Sequence, residues 1–159
     1  MTRTRTHSYP TVVTWTGNQG TGTSGYRDYT RDTSIAAEGR PDVLGSSDPM
    51  FRGDPTRWNP ELLLVASLSQ CHMLWFLHLA AEAKVVVTEY IDEAVGTMEE
   101  TPGGAGRFTS VLLRPRVTVA SPEMVETAQS LHPRANELCF IAQSVNFPVH
   151  HEPTAHLAR

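Results

Sequence analysis

The sequence predicts an α+β fold, in which antiparallel sheets pack on one long buried central helix. Three observations support this prediction: strand patterns come first, a long apolar helix pattern follows, and further strands precede a second helix. Elements grouped in this way are typical of α+β domains, whereas a parallel α/β fold alternates strands and helices. With 159 residues, the chain can bury a substantial core, so we predict a single domain over residues 1–159.

The N-terminal part is predicted to form a hairpin over residues 11–35. Residues 11–16, TVVTWT, have a strand pattern, the stretch GNQGTGTSG supplies turn residues, and residues 26–35 return to an extended pattern. Residues 36–58 contain glycines and prolines that break any period, which predicts a long loop. A loop of this length in a compact domain is usually functional or wraps a partner.

The central helix is predicted from Asn59 to about Ala83. Asn59 is a suitable N-cap, Pro60 suits the first helical position, and the Glu61 carboxylate suits the positive helix end. The helix is apolar on nearly all sides, as expected for an element that is buried against a sheet and a further surface. A chain of this size cannot easily surround such a helix alone, so we expect a homodimer. Polar side chains within the helix argue against a membrane span.

The remaining strands and the second helical region are predicted over residues 84–150. Strand patterns at residues 84–98 and 107–119 flank the turn TPGGAG. Pro115 indicates that the second of these is an edge strand or contains a bulge. A last strand is predicted at residues 145–149.

The second helix is predicted to begin at Ser121, because Ser-Pro-Glu is a typical start signal. Pro133 is expected to interrupt this helix. A further short helix that carries Cys139 is then predicted.

The composition is that of an ordinary globular protein: 40% of the residues are hydrophobic, 19% are charged, and the net charge is −4. No basic stripe indicates a nucleic-acid partner. The N-terminus has two arginines without an apolar run behind them, so we predict no signal peptide and a cytoplasmic location. In a reducing compartment, Cys71 and Cys139 are either two inert buried thiols or a pair that forms a transient, catalytic disulfide.

Cys71 needs a cation from outside its own helix if it is to act as a nucleophile. It lies twelve residues into the predicted helix, beyond the reach of the helix dipole, and an unassisted thiol is mostly protonated at neutral pH. His72 points about 100° around the helix from Cys71, and Glu61 lies about 15 Å away along the axis. An arginine from another element fits better, because it stays charged and its donors can also hold an oxygen atom of a substrate.

Metal binding is a weaker interpretation. The candidate ligands fall in no known zinc-binding spacing; they are Cys71, His72, His78, His132 and Cys139. The histidines near the C-terminus are expected to be solvated: His150, His151 and His156.

Two motifs resemble the OsmC/Ohr family of osmotically inducible and organic hydroperoxide resistance proteins. One is WNPELLLVASLSQCH at residues 58–72, and the other is ANELCFIAQSVN at residues 135–146. The resemblance implies an OsmC-like fold, an intertwined homodimer with active sites at the subunit interface, and thiol-dependent reduction of organic and also hydrogen peroxides. It assigns peroxide attack to Cys71, disulfide formation to Cys139, and the positioning of an activating arginine to Glu61.

The resemblance places the activating arginine in one of two regions. Arg52 corresponds to the position just before the central helix, whereas Arg31 or Arg27 corresponds to a position on the hairpin; Arg57 is also near the motif. We predict Arg52. The implied reductant is an external dithiol such as protein-bound lipoyl, with no resident cofactor. A non-enzymatic redox sensor or small-ligand binder on the same fold is the alternative function.

Overall fold

The computed structural model describes residues 4–158. The chain divides into two compact units, Met1–Leu63 and Leu64–Arg159, which are described in turn. The prediction of a single domain over residues 1–159 stays a prediction. Residues 1–3 and residue 159 lie outside the described residues. The prediction that the N-terminus is not a signal peptide therefore falls partly on residues that are not described.

The first unit contains a three-stranded antiparallel sheet. Its strands are β1 (Val12–Trp15), β2 (Thr33–Ala36) and β3 (Val43–Gly45), which pair in the order β1-β2-β3. The hairpin of β1 and β2 agrees with the prediction, but its second strand begins at Thr33 rather than near Tyr26. Strand β3 lies inside the predicted loop, because a three-residue strand is too short to show a sequence period.

The central helix α1 (Pro60–Glu82) begins as predicted. The side chain of Asn59 accepts a hydrogen bond from the backbone N–H of Leu62 at 2.8 Å. Lys84 adopts a left-handed conformation (φ 60°), and the N–H of Val85 donates to the carbonyl of Ala80, which ends the helix.

Helix α1 is buried along one stripe rather than on all sides. The buried residues repeat every fourth position: Leu68, His72, Phe76 and Ala80. Leu62 and Leu74 are about half exposed in the single chain. Within residues 4–158, α1 is the one helix that is long and apolar enough to cross a membrane. The core helix of a folded domain meets the same two criteria.

The second unit contains two three-stranded sheets. One has the order β4-β7-β9 and the other the order β5-β6-β8. Their strands are β4 (Val87–Asp92), β5 (Val95–Glu100), β6 (Gly106–Leu113), β7 (Pro115–Val119), β8 (Val149–His151) and β9 (Thr154–Leu157). The pairs β4–β7 and β5–β6 are antiparallel, whereas β6–β8 and β7–β9 are parallel.

Each of the two long strands predicted here is in fact two strands. Asp92 is the last residue of β4, and its carboxylate accepts hydrogen bonds from the hydroxyl of Ser69 (2.5 Å) and from the backbone N–H of Arg114 (2.6 Å), the residue between β6 and β7. Pro115 is the first residue of β7, where a missing N–H is tolerated. The predicted strand over residues 145–149 was wrong: β8 begins only at Val149.

Helix α2 (Val125–Leu138) continues through Pro133, so the predicted interruption was wrong. The buried side chains of His132 and Ala135 flank the proline, and their packing holds the helix together across it. Cys139 is not within a helix as predicted; it is the C-cap residue of α2, with an extended backbone.

The core of the second unit consists of two clusters along α1. Near the start of the helix, Leu68 packs with Val111 and Leu113 of β6. Farther along, Phe76 and Ala80 pack with residues of β7 and α2, among them Val117, Val119, Ala128 and Ala135. The helix is therefore the element on which both sheets and α2 pack.

Candidate functional site

Cys71 and Cys139 are neighbours in the second unit, and both are free thiols. Cys71 lies on α1 and is partly exposed, whereas Cys139 is buried at the end of α2. The Cys71 thiol lies near enough to that of Cys139 to influence its pKa. Their 68-residue separation gave no indication of this contact, which the packing of α2 on α1 creates.

The surroundings of Cys139 keep its thiol protonated at neutral pH. Burial is the largest cause and, together with the neighbouring Cys71, raises the pKa of Cys139 to about 11. The backbone N–H of Ala142, 3.4 Å from the sulfur, opposes this shift without cancelling it. Cys139 is therefore a buried neutral thiol beside a more accessible one.

Cys71 opens into an apolar pocket of about 370 Å³. The other lining residues are Leu74, Trp75, His78 and Phe140. Trp75 and Phe140 meet edge to face, with ring centroids 5.5 Å apart. This pocket was not predicted from the sequence, although Leu74, Trp75 and His78 follow Cys71 at spacings of three, four and seven residues and so share its helix face.

Glu61 lies in the first turn of α1, ten residues before Cys71. Because α1 is unbroken, these ten residues correspond to about 15 Å along the axis, so Glu61 does not touch the Cys71 of its own chain. One carboxylate oxygen of Glu61 is buried and has no hydrogen-bond partner among residues 4–158. A buried carboxylate oxygen without a partner is energetically unfavourable, and a positively charged side chain next to it would relieve this cost.

Arg52 is the predicted activating arginine, and it lies in the first unit just after a 3-10 helix, Pro49–Phe51. It has a left-handed backbone (φ 66°), and its guanidinium lies 5.8 Å from the ring of Tyr26. Within residues 4–158 its side chain forms no ion pair with a carboxylate, so the guanidinium is available for another partner.

The other candidate arginines differ in the contacts that their side chains already make. Arg31 donates to the carbonyls of Tyr26 and Tyr29 and lies over both of their rings, at 4.4 and 4.1 Å. Arg57 lies near two carboxylates, those of Asp32 and Asp54, at 3.8 and 3.5 Å. Arg27 is exposed on the hairpin.

Four of the five candidate metal ligands form two separate pairs, and the fifth, His78, lies 3.4 Å from Glu82. Cys71 lies beside Cys139, and His72 is hydrogen-bonded to His132 at 3.0 Å. Across residues 4–158, no three His, Cys, Asp or Glu side chains lie close enough together to hold a metal ion. His151, predicted to be solvated, instead has a buried ring nitrogen and lies 5.6 Å from the His72 ring.

The fold and these residues define an α+β protein with a reduced cysteine pair beside an apolar pocket. The family model described as OsmC-like protein matches residues 53–154. The chain therefore belongs to the OsmC family, in agreement with the resemblance of its motifs. Comparison with curated proteins gives no significant match.

Solved structures with the same fold span almost the whole chain. An OsmC-like protein of unknown function from Vibrio cholerae is 32% identical, with 93% of this chain and 99% of that chain covered and a TM-score of 0.82. An organic hydroperoxide resistance protein from Elizabethkingia anophelis is 16% identical, with coverages of 98% and 100% and a TM-score of 0.67. One from Legionella pneumophila is 17% identical, with coverages of 97% and 100% and a TM-score of 0.64.

Proposed function

We propose that this protein is a cysteine-based peroxidase that reduces organic hydroperoxides, and also hydrogen peroxide, at the expense of an external dithiol. The observation that supports this most strongly is the cysteine pair: an accessible thiol, Cys71, faces a pocket, and a buried neutral thiol, Cys139, lies beside it. Membership of the OsmC family and the hydroperoxide resistance proteins among its structural neighbours also support a peroxide-related function.

The proposed reaction has two steps on the protein. The Cys71 thiolate attacks the distal peroxide oxygen, the O–O bond breaks, and the departing alkoxide takes up a proton to give the alcohol, which leaves Cys71 as a sulfenic acid. The sulfur of Cys139 then attacks the Cys71 sulfur. Hydroxide leaves with the Cys139 proton as water, and a Cys71–Cys139 disulfide remains.

The external dithiol then reduces this disulfide by thiol–disulfide exchange. Protein-bound lipoyl is our first candidate, and no resident cofactor is required. We also propose a cytoplasmic location and no nucleic-acid or membrane partner.

The pocket favours organic hydroperoxides as substrates. Trp75, Phe140 and Leu74 surround the space next to the Cys71 sulfur with apolar and aromatic surface. An alkyl or aryl group gains free energy when it leaves water for such a surface, whereas hydrogen peroxide has no apolar group to bury.

Activation of Cys71 is assigned to an arginine that Glu61 holds in place. The buried unpaired oxygen of Glu61 supports this proposal, because a guanidinium there would satisfy it. Arg52 is the first candidate, because Arg31 and Arg57 are already engaged by carbonyls or carboxylates. The 15 Å between Glu61 and its own Cys71 is consistent with a site completed by a second subunit.

We propose an intertwined homodimer, and exposed apolar surface in both units supports it. In the first unit an apolar groove of about 600 Å³ lies over the sheet, with Trp15, Ile35 and Trp58 among its lining residues. In the second unit, Leu74 of α1 is 57% exposed and Phe140 is 67% exposed. Surfaces of this kind are typical of protein–protein contacts.

A peroxide-consumption assay tests the proposed function. With cumene hydroperoxide and excess dihydrolipoamide, we expect many turnovers per protein, with lower rates when thioredoxin or glutathione is the reductant or hydrogen peroxide is the substrate. The reductants without protein serve as the control. Consumption of a single equivalent of peroxide with every reductant would contradict a peroxidase and support a stoichiometric redox sensor.

A further inference from the structure

His72 and His132 form a buried hydrogen-bonded pair between the two helices that carry the cysteines. Nε2 of His72 and Nδ1 of His132 are 3.0 Å apart, and both side chains are completely buried. The ring planes differ by 10° with centroids 5.3 Å apart, so the rings meet edge to edge in nearly one plane. Phe76 stacks on the His132 ring at 4.2 Å.

Both imidazoles are neutral at neutral pH. Burial, with a smaller contribution from His151, lowers the pKa of His72 to about 4. Burial and the neighbouring His72 and His151 lower the pKa of His132 to about 3. The contact is therefore an N–H···N hydrogen bond between two neutral rings, with one acting as donor and the other as acceptor.

The pair is poorly explained as packing alone. The other buried residues of this interface are apolar, such as Phe76 and Ala80 on α1 and Ala128 and Ala135 on α2. The outer ring nitrogens, Nδ1 of His72 and Nε2 of His132, are buried without a partner among residues 4–158, which lowers stability. In coiled coils, a single buried polar contact of this kind fixes the register of two helices at a cost in stability.

The position of the pair connects it to the cysteines. His72 follows Cys71 directly on α1. His132 lies seven residues before Cys139, which is two helical turns or about 10 Å along α2, and on the same buried face. The relative position of α1 and α2 decides the separation of the two sulfurs, and a disulfide forms only within a narrow range of Cα distances.

We propose that His72 and His132 are positioning residues that set the register of α1 and α2 for closure of the Cys71–Cys139 disulfide. This inference rests on the proposed function. In the step concerned, the Cys71 sulfenic acid and the Cys139 thiol form the disulfide and release water, without a further oxidant. Neither ring forms a hydrogen bond with either cysteine sulfur, so we expect the pair to act on the closure step more than on peroxide attack.

Three substitutions at His132 separate this role from general destabilisation. His132→Leu removes the hydrogen bond and keeps the apolar volume, His132→Asn retains a polar group near the position of Nδ1, and His132→Gln places the amide farther out, near the position of Nε2. The reduced proteins are mixed with one equivalent of cumene hydroperoxide, quenched at intervals, and their thiol, sulfenic acid and disulfide forms are quantified by intact mass spectrometry.

We expect His132→Leu and His132→Gln to slow the conversion of sulfenic acid to disulfide by at least about tenfold. The rate at which peroxide is lost in the first step should change much less. The His132→Asn protein should form the disulfide at a rate within a few fold of the wild-type rate. Closure at the wild-type rate in the Leu or Gln variant overturns the proposal, and so does equal slowing in the Asn and Gln variants. If one of them does not fold, the remaining variants still decide the outcome.

Direct oxidation with diamide distinguishes failure of this inference from failure of the proposed function. Diamide oxidises two adjacent thiols to a disulfide without a peroxidase reaction. After diamide has reacted with Cys71, closure by the second thiol depends on the geometry of the pair. The wild-type and His132→Asn proteins should close faster with diamide than the His132→Leu protein. A wild-type protein that closes with diamide but not with peroxide contradicts the proposed function and leaves the positioning role intact. Equal diamide closure in all variants overturns the positioning role.

Discussion

Cys71→Ser should abolish peroxide consumption in the presence of excess dihydrolipoamide. A serine hydroxyl is not ionised at neutral pH and is a poor nucleophile towards peroxide oxygen, so no sulfenic acid can form. The rate should fall by at least about 10³-fold, as in other enzymes that lose their nucleophile. The fold should survive, because Cys71 is partly exposed and serine has nearly the same volume.

Cys139→Ser is the matched control, since it makes the same chemical change at the other thiol. Without added dithiol, this variant should consume one equivalent of peroxide rapidly and then stop, while dimedone traps a sulfenic acid on Cys71. Steady turnover by Cys71→Ser at the wild-type rate would exclude Cys71 as the attacking thiol. Rapid consumption by Cys71→Ser but not by Cys139→Ser would reverse the two roles.

Acidification should destabilise the protein strongly between about pH 6.5 and about pH 4, because two buried histidines stay neutral in the folded state. Burial lowers the pKa of His72 to about 4 and that of His132 to about 3, from an ordinary value of 6.5. The unfolded chain therefore binds protons at a pH where the folded chain does not. The stabilisation is present above the unfolded pKa and is lost as the pH falls towards the folded values.

The expected loss is on the order of several kcal/mol, since each unit of pKa difference corresponds to about 1.4 kcal/mol. The measurement is the free energy of unfolding from urea denaturation across this pH range, at one fixed protein concentration. His132→Asn is the comparison, because asparagine does not titrate, and its free energy should decline less steeply with falling pH. Parallel curves for the two proteins would show that His132 does not carry this dependence.

The start of α1 was predictable because its signals are local. Asn59 caps the helix, Pro60 occupies its first position, and the apolar run that follows is long enough to exclude a strand. The N-terminal hairpin was also predictable, since its strands are neighbours in sequence. Local hydrogen bonding and periodicity decide both elements.

The C-terminal elements were not predictable, because tertiary contacts decide them. Strands β8 and β9 have three and four residues, and they pair in parallel with strands far away in sequence. Helix α2 continues through Pro133 because its neighbours are buried, which outweighs the local preference against proline.

The candidate site was predictable only in part. The motifs around Cys71 and Cys139 indicated that the two thiols act together, and the structure places them side by side. The roles of Glu61 and Arg52 stay predictions. The His72–His132 contact left no trace in the sequence, because its members are 60 residues apart and follow no known spacing.

The central claim is that peroxide oxidises Cys71 and that the neighbouring Cys139 closes a disulfide with it. Its most direct test is peptide mapping of the reduced wild-type protein after one equivalent of cumene hydroperoxide, digested without reductant. We predict that the peptides containing Cys71 and Cys139 are recovered joined by a disulfide. Recovery of both cysteines as free thiols, after the peroxide has been consumed, would contradict the account.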